Sequence, residues 1–180
     1  PMSSRVFDAS FAFILIVALG IPMLMIALIV RLTSPGPVLY WSNRVGKNNS
    51  IFSMPKYRTM KVETPAVATH LLASPEQYVT RIGRVLRRFS LDELPQLINV
   101  LKGDMSLVGP RPALASEVDR YSLDDRRRLD AVPGLTCTWQ VAGRSDIPFP
   151  EQLRLDVEYI ERQSIGEDLK LLLKTVPAVI

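Results

Sequence analysis

The chain has 180 residues, a formal net charge of +4, a sequence pI near 9.4 and a mean hydropathy of +0.14. Its length suffices for one domain and is short for two, and a basic charge beside a positive hydropathy points to an anionic membrane surface or ligand. Nucleic acid is not favoured, because the arginines follow no recognised binding motif. Cys137, the only cysteine, excludes an internal disulfide and fits a reducing compartment, and no Walker A or dinucleotide-binding glycine pattern occurs.

Pro1 and Met2 read as a scar ahead of a native start and are set aside. Phe11 to Val30 carries no charge, and as a helix it would measure about 30 Å, enough to cross a bilayer core. Pro22, two residues after Gly20, cannot donate to the carbonyl of Ala18 and predicts a bend or break there. Basic residues flank both ends, Arg5 before and Arg31, Arg44 and Lys47 after, so charge gives no direction of crossing. A kinked spanning helix and a re-entrant one that leaves by the face it entered are both compatible with the run.

Thr33 to Pro37 stops the helix. Val38 to Trp41 and Ile51 to Tyr57 read as short strands around a turn at Gly46 to Ser50, with Pro55 at an edge or bulge. Lys56 and Arg58 fall on one face of the second strand and read as a solvated edge. Glu63 to Pro75 reads as a loop; it holds the only histidine, His70, read as a surface residue because no second ring or cysteine neighbours it.

Gln77 to Phe89 places Arg81, Arg84 and Arg88 on one helical face and Ile82, Val85, Leu86 and Phe89 on another. Such a helix is solvated, or lies at headgroups worth about 1 kcal/mol per basic residue. Ser90 followed by Glu93 has the form of a capping box ahead of Leu94, Leu97, Ile98 and Leu101. Asp92 and Glu93 then sit in the first turn, at the positive end of the helix dipole. There Glu93 either caps the backbone or holds a hard cation, and Asp92 can act as a nucleophile. Arg87 and Arg88 are both close enough in sequence to the carboxylates to help bind a diphosphate, and Arg88 is ranked first. The helix ends near Lys102 with Gly103 as C-cap. Arg111, fixed between Pro110 and Pro112, suits either a phosphate or an ordinary ion pair.

Ala113 to Tyr121 and Leu123 to Ala131 read as short helices, the second capped by Ser122, with Asp124 to Arg128 as solvated pairs. Pro133 to Ser145 is rich in turns and strand formers. Cys137 is read there as a small buried residue. Glu151 to Gln163 is an amphipathic helix, and Ile165 to Ile180 is either a core helix or one lying in the membrane plane. Asp156 and Asp168 are given structural roles.

Ser90 to Pro112, SLDELPQLINVLKGDMSLVGPRP, closely resembles the signature of the bacterial sugar transferases, the polyprenyl-phosphate phosphoglycosyl transferases of the single-membrane-segment class. KYRTM at Lys56 to Met60, PGLTCTWQVAGRS at Pro133 to Ser145 and LDVEYIERQSIGEDLKLLLKT at Leu155 to Thr175 extend the resemblance over most of the chain. It implies a mixed, mostly helical α+β fold, with a re-entrant membrane helix over residues 3–32 broken near Pro22, and a cytosolic catalytic domain over residues 33–180 on the cytoplasmic face of the bacterial inner membrane. It implies transfer of a sugar-1-phosphate from a UDP-sugar to polyprenyl phosphate through a phospho-aspartyl intermediate. Asp92 and Glu93 would be catalytic and hold Mg2+. Arg111, Arg88, Lys56 and Arg58 would bind phosphate, and Gln140 and Arg144 would lie near the nucleotide-sugar. The alternative is a non-catalytic membrane scaffold for glycan assembly. A homo-oligomer is left open.

Overall fold

The uncharged run forms α1, Met2–Thr33, long and apolar enough to cross a membrane by length and composition. The computed structural model describes residues 2–67 and 69–180, without the side chains of Ser3, His70 and Ser145, so the surface reading of His70 lies outside the described residues. The helix continues through Pro22, so the predicted disruption is at most a bend. A proline removes only its own N–H, and the bonds on either side suffice to carry a helix of this length across it.

One side of α1 packs on the rest of the chain along most of its length. Phe7, Ala12, Leu15 and Ile16 meet the cluster around Leu97, Val100 and Met105, while Met23, Ile26, Ala27 and Val30 meet Tyr57 and Leu86. The Arg5 guanidinium donates to the carbonyls of Val100 and Leu101, and the Tyr57 hydroxyl donates to the Met23 carbonyl at 2.8 Å. The opposite side leaves Phe13, Val17, Ile21, Leu24 and Leu32 exposed.

Strands β1 (Leu39–Val45) and β2 (Ile51–Tyr57) pair antiparallel, with Tyr40 opposite Lys56 and Trp41 opposite Pro55. The first strand continues past the predicted Trp41, so Tyr40, Ser42 and Arg44 alternate onto one face. Asn48 and Asn49 turn the hairpin at φ of 56° and 62°, a region asparagine tolerates. Pro55 is accommodated because β2 borders no third strand.

Helix α2 (Arg81–Arg88) begins later than Gln77 because the Thr80 side chain caps it, accepting from the Gly83 N–H at 2.9 Å. A 3-10 turn over Leu91–Gln96 leads into α3 (Leu97–Lys102), which ends at Gly103 with φ of 94°, the predicted left-handed cap. Strands β3 (Ser106–Val108) and β4 (Gly134–Thr136) pair parallel. Their approach requires glycine: a Cβ on Gly134 would stand 2.0 Å from the Gly109 nitrogen. That contact brings the Gly109 to Pro112 turn beside the segment that follows β4.

The remaining helices are α4 (Ala115–Val118), α5 (Thr138–Ala142), α6 (Phe149–Arg162) and α7 (Ile165–Val179). The helix predicted from Leu123 is a 3-10 turn over Asp125–Asp130, in which Ser122 and Asp125 cap each other's N–H groups. In α7 Leu171 is buried while Leu169, Leu173 and Val176 are exposed, so one face joins the core and the other is free. The whole is a mixed α/β fold, about 60% helical.

Candidate active site

The two carboxylates sit on the Leu91–Gln96 turn, which packs against β2. Ser90 does not cap it. Its backbone is left-handed at φ of 55° and its side chain makes no capping bond, so the capping-box reading is corrected. The cause is Pro95, which supplies no N–H, so the segment tightens to 3-10 pairing and the α-helix starts only at Leu97. Glu93 is thereby freed to turn toward the sheet. Its Oε1 accepts from Lys56 Nζ at 3.4 Å and from Arg111 Nη2 at 3.3 Å, joining β2 to the proline-locked turn.

Asp92 is buried beside it and makes no ion pair within 4.0 Å among the described residues. Burial, reinforced by the charge of Glu93, pushes its carboxyl up to about 6, with Lys56 and Arg87 acting the other way. Burial also works to raise the Glu93 carboxyl, but Arg111 and Lys56 outweigh it and hold Glu93 below the usual carboxylate range. The adjacent acids thus differ: Glu93 is committed to two cations, while Asp92 keeps its oxygens free.

Of the two arginines that end α2, Arg87 is the one whose charge acts on Asp92; its Nε donates to Thr59 Oγ1 at 2.9 Å. Arg88 lies instead over the ring of Phe89, 5.4 Å from its centroid. Arg58 is engaged at the end of α1. It is buried and donates to Ser34 Oγ at 2.6 Å, to the Ser34 carbonyl at 2.8 Å and to the Pro37 carbonyl at 2.6 Å, fastening the exit of α1 to the end of β2. Because β2 ends at Tyr57, the strand alternation linking Arg58 to Lys56 no longer applies.

Arg111 is held from three sides. Its guanidinium bonds Glu93 and lies 5.8 Å from the centroid of the Trp139 ring, and its carbonyl accepts from Arg128 Nη2 at 3.0 Å. Arg128 was expected to be solvated with its neighbours, yet it is buried, paired with Asp156 at 2.6 Å and bonded to the Tyr121 hydroxyl at 2.5 Å. Asp156 Oδ2 also accepts from the Trp139 indole at 3.4 Å. Burial pushes the Asp156 carboxyl up to about 6 even with Arg128 beside it. Asp168 accepts from the Tyr159 hydroxyl at 2.5 Å.

Gln140 follows Trp139 in α5, its Oε1 buried without a partner among the described residues. Arg144 donates to Ser90 Oγ at 3.4 Å and to the Ala178 carbonyl at 2.5 Å, tying the end of α7 to the residue two before Asp92. Cys137 is buried, and burial pushes its thiol up to about 12, so it stays protonated. Arg44, missed in the sequence, donates to the Pro112 carbonyl at 3.2 Å and so stands beside Arg111. Only an alternation continued beyond Trp41 could have signalled it.

The cluster therefore gathers Arg44, Lys56, Arg87 and Arg111 around Asp92 and Glu93, a cationic excess that suits a polyanion. No group of three or more metal-ligating side chains converges among the described residues. Two adjacent acids, one with its oxygens free, still fit a hard dication, which takes one or two carboxylates and completes its shell with substrate phosphate. A larger open cleft of about 780 Å³, lined by residues such as Ser34, Lys61 and Arg81, does not include the carboxylates.

A long apolar helix packed beside a buried acid pair under several cations describes a membrane-associated protein equipped to hold a phosphate-bearing ligand. The chain belongs to the bacterial sugar transferase family, whose model matches residues 1–180. It is 41% identical over 188 residues to the UDP-glucose:undecaprenyl-phosphate glucose-1-phosphate transferase of Caulobacter vibrioides, covering 99% of this chain and 70% of the relative. The galactosyl transferase CpsE of Streptococcus agalactiae is 38% identical over 99% of this chain and 42% of its own length. The exopolysaccharide production protein ExoY of Sinorhizobium fredii is 35% identical over 99% and 85%.

Proposed function

We propose that the chain transfers a sugar-1-phosphate from a UDP-sugar to polyprenyl phosphate, initiating a polysaccharide or glycoconjugate. The observation that carries this reading is the unlike acid pair, with Glu93 locked to Lys56 and Arg111 and Asp92 free among cations. An Asp92 oxygen attacks the phosphorus that bears the sugar, the bond from that phosphorus to the bridging oxygen breaks, and UMP leaves. An oxygen of the lipid phosphate then attacks the same phosphorus, releasing Asp92 and forming the polyprenyl diphosphate sugar. Two displacements let one site serve a soluble donor and a membrane acceptor in turn. Arg111 and Lys56 stabilise charge on the equatorial oxygens. Asp92 and Glu93 would hold Mg2+, which when bound neutralises part of the diphosphate charge. Gln140 and Arg144 lie on the donor side in this reading.

The test is UMP release from a panel of UDP-sugars with polyprenyl phosphate and Mg2+. Release with at least one donor, abolished by chelation, is expected, whereas a chain that binds lipid and partner enzymes but releases UMP from none would be the membrane scaffold.

We further propose that α1 does not cross the bilayer but bends at Pro22, with both of its ends at the cytoplasmic face of the inner membrane. Support comes from its packing, since α3 and α2 contact opposite ends of the same helix side. Cysteines placed at the exposed Met2 and Thr33 are expected to react with a membrane-impermeant maleimide from one side of a vesicle only, the buried Cys137 staying silent. Access from opposite sides would establish a spanning helix.

A further inference from the structure

Arg44, like Arg87, is a basic group of the cluster held by neutral acceptors alone. It shares one face of β1 with Tyr40 and Ser42, and Lys56 lies across the strand pair from Tyr40. Its Nε donates to Ser42 Oγ at 3.1 Å and its Nη1 to the Pro112 carbonyl at 3.2 Å. No carboxylate among the described residues comes within 4.0 Å of it, although Glu117 and Glu93 both act on it. A partly buried guanidinium beside a second arginine, without a bonded acid, is destabilising until an anion joins it.

Its place along the site decides which anion. Glu93, next to Asp92 in the chain, bonds Arg111, and Arg44 bonds the carbonyl of Pro112, the residue after Arg111. Arg44 therefore lies on the Arg111 side of Glu93. The phosphorus under attack, and later the lipid phosphate that must reach it, belong at the Asp92 end. A diphosphate laid along the cluster brings its other phosphate to Arg44.

We propose that Arg44 forms the subsite for the nucleotide phosphate of the donor, the one that departs as UMP. This rests on the transferase reading above. The same guanidinium chemistry would suit a lipid phosphate, so the experiment reads both.

Full-length wild type, Arg44→Gln and Arg44→Lys in lipid nanodiscs are titrated with UMP and with uridine, and KM for polyprenyl phosphate is measured at saturating donor. Losing a charge-assisted pair to phosphate is expected to weaken UMP about ten- to a hundred-fold in Arg44→Gln. Uridine affinity and the lipid KM should stay within about twofold, the precision at which such comparisons add. Arg44→Lys keeps the charge without the planar fork and should fall between; it also carries the test should the glutamine variant fail to fold. UMP affinity equal to wild type in both variants, or uridine weakened as much as UMP, overturns the subsite. A raised lipid KM with UMP unchanged overturns it in favour of the lipid source. A wild-type chain that binds neither UMP nor UDP-sugar overturns the transferase reading itself, and the subsite with it.

Discussion

Asp92→Asn is expected to lower UMP release by about 10⁴-fold or more, the scale at which loss of a covalent nucleophile is felt. The amide keeps the shape of the side chain but cannot attack phosphorus. It also removes the repulsion between Asp92 and Glu93, so the variant should melt no lower than wild type. With donor and no lipid acceptor, intact-mass spectrometry should find a sugar phosphate on wild type and none on the variant. Release kept within tenfold of wild type, or kinetics requiring both substrates bound together, would reject the covalent route.

The second large effect concerns stability. Arg128→Met leaves the Asp156 carboxylate buried without its cation, and a broken pair of this kind costs about 3–5 kcal/mol. Asp156 Oδ1 already lacks a partner, which sharpens the loss. Adding Asp156→Leu removes the stranded charge and should recover most of the melting temperature. Activity should not return with it, because the Arg111 carbonyl and the Trp139 indole have both lost what held them. A double variant as unstable as the single would show that the stranded charge is not the cause, and full activity in the double variant would show that Arg111 is positioned by other means.

Local signals in the sequence served well. The apolar run gave α1, Gly103 ended α3, and the proline-locked Arg111 and the Asp92 and Glu93 pair were legible because their chemistry lies within a few adjacent residues. What failed was the choice between a local and a distant partner. Glu93 looked like a capping residue, and its partners Lys56 and Arg111 stand 37 and 18 residues away. Arg58 read as a solvated edge, and its partners lie at the end of α1, 24 residues away. Arg87 and Arg88 are adjacent in sequence, and only the packing of α2 against the carboxylate turn decides between them. Arg128 sat in a run of charges that composition alone assigns to solvent.

The docking of α1 along the domain makes the membrane segment a structural wall, with practical consequences for handling the enzyme. Trimming the chain at Thr33 to obtain a soluble catalytic fragment would uncover Leu86, Leu97 and Val100 and strip the carbonyl acceptors at the end of α3 of Arg5. Folding carries the same requirement: the domain cannot complete its interior until the helix is seated against it. The surfactant chosen for purification then governs the integrity of the carboxylate site as much as its solubility.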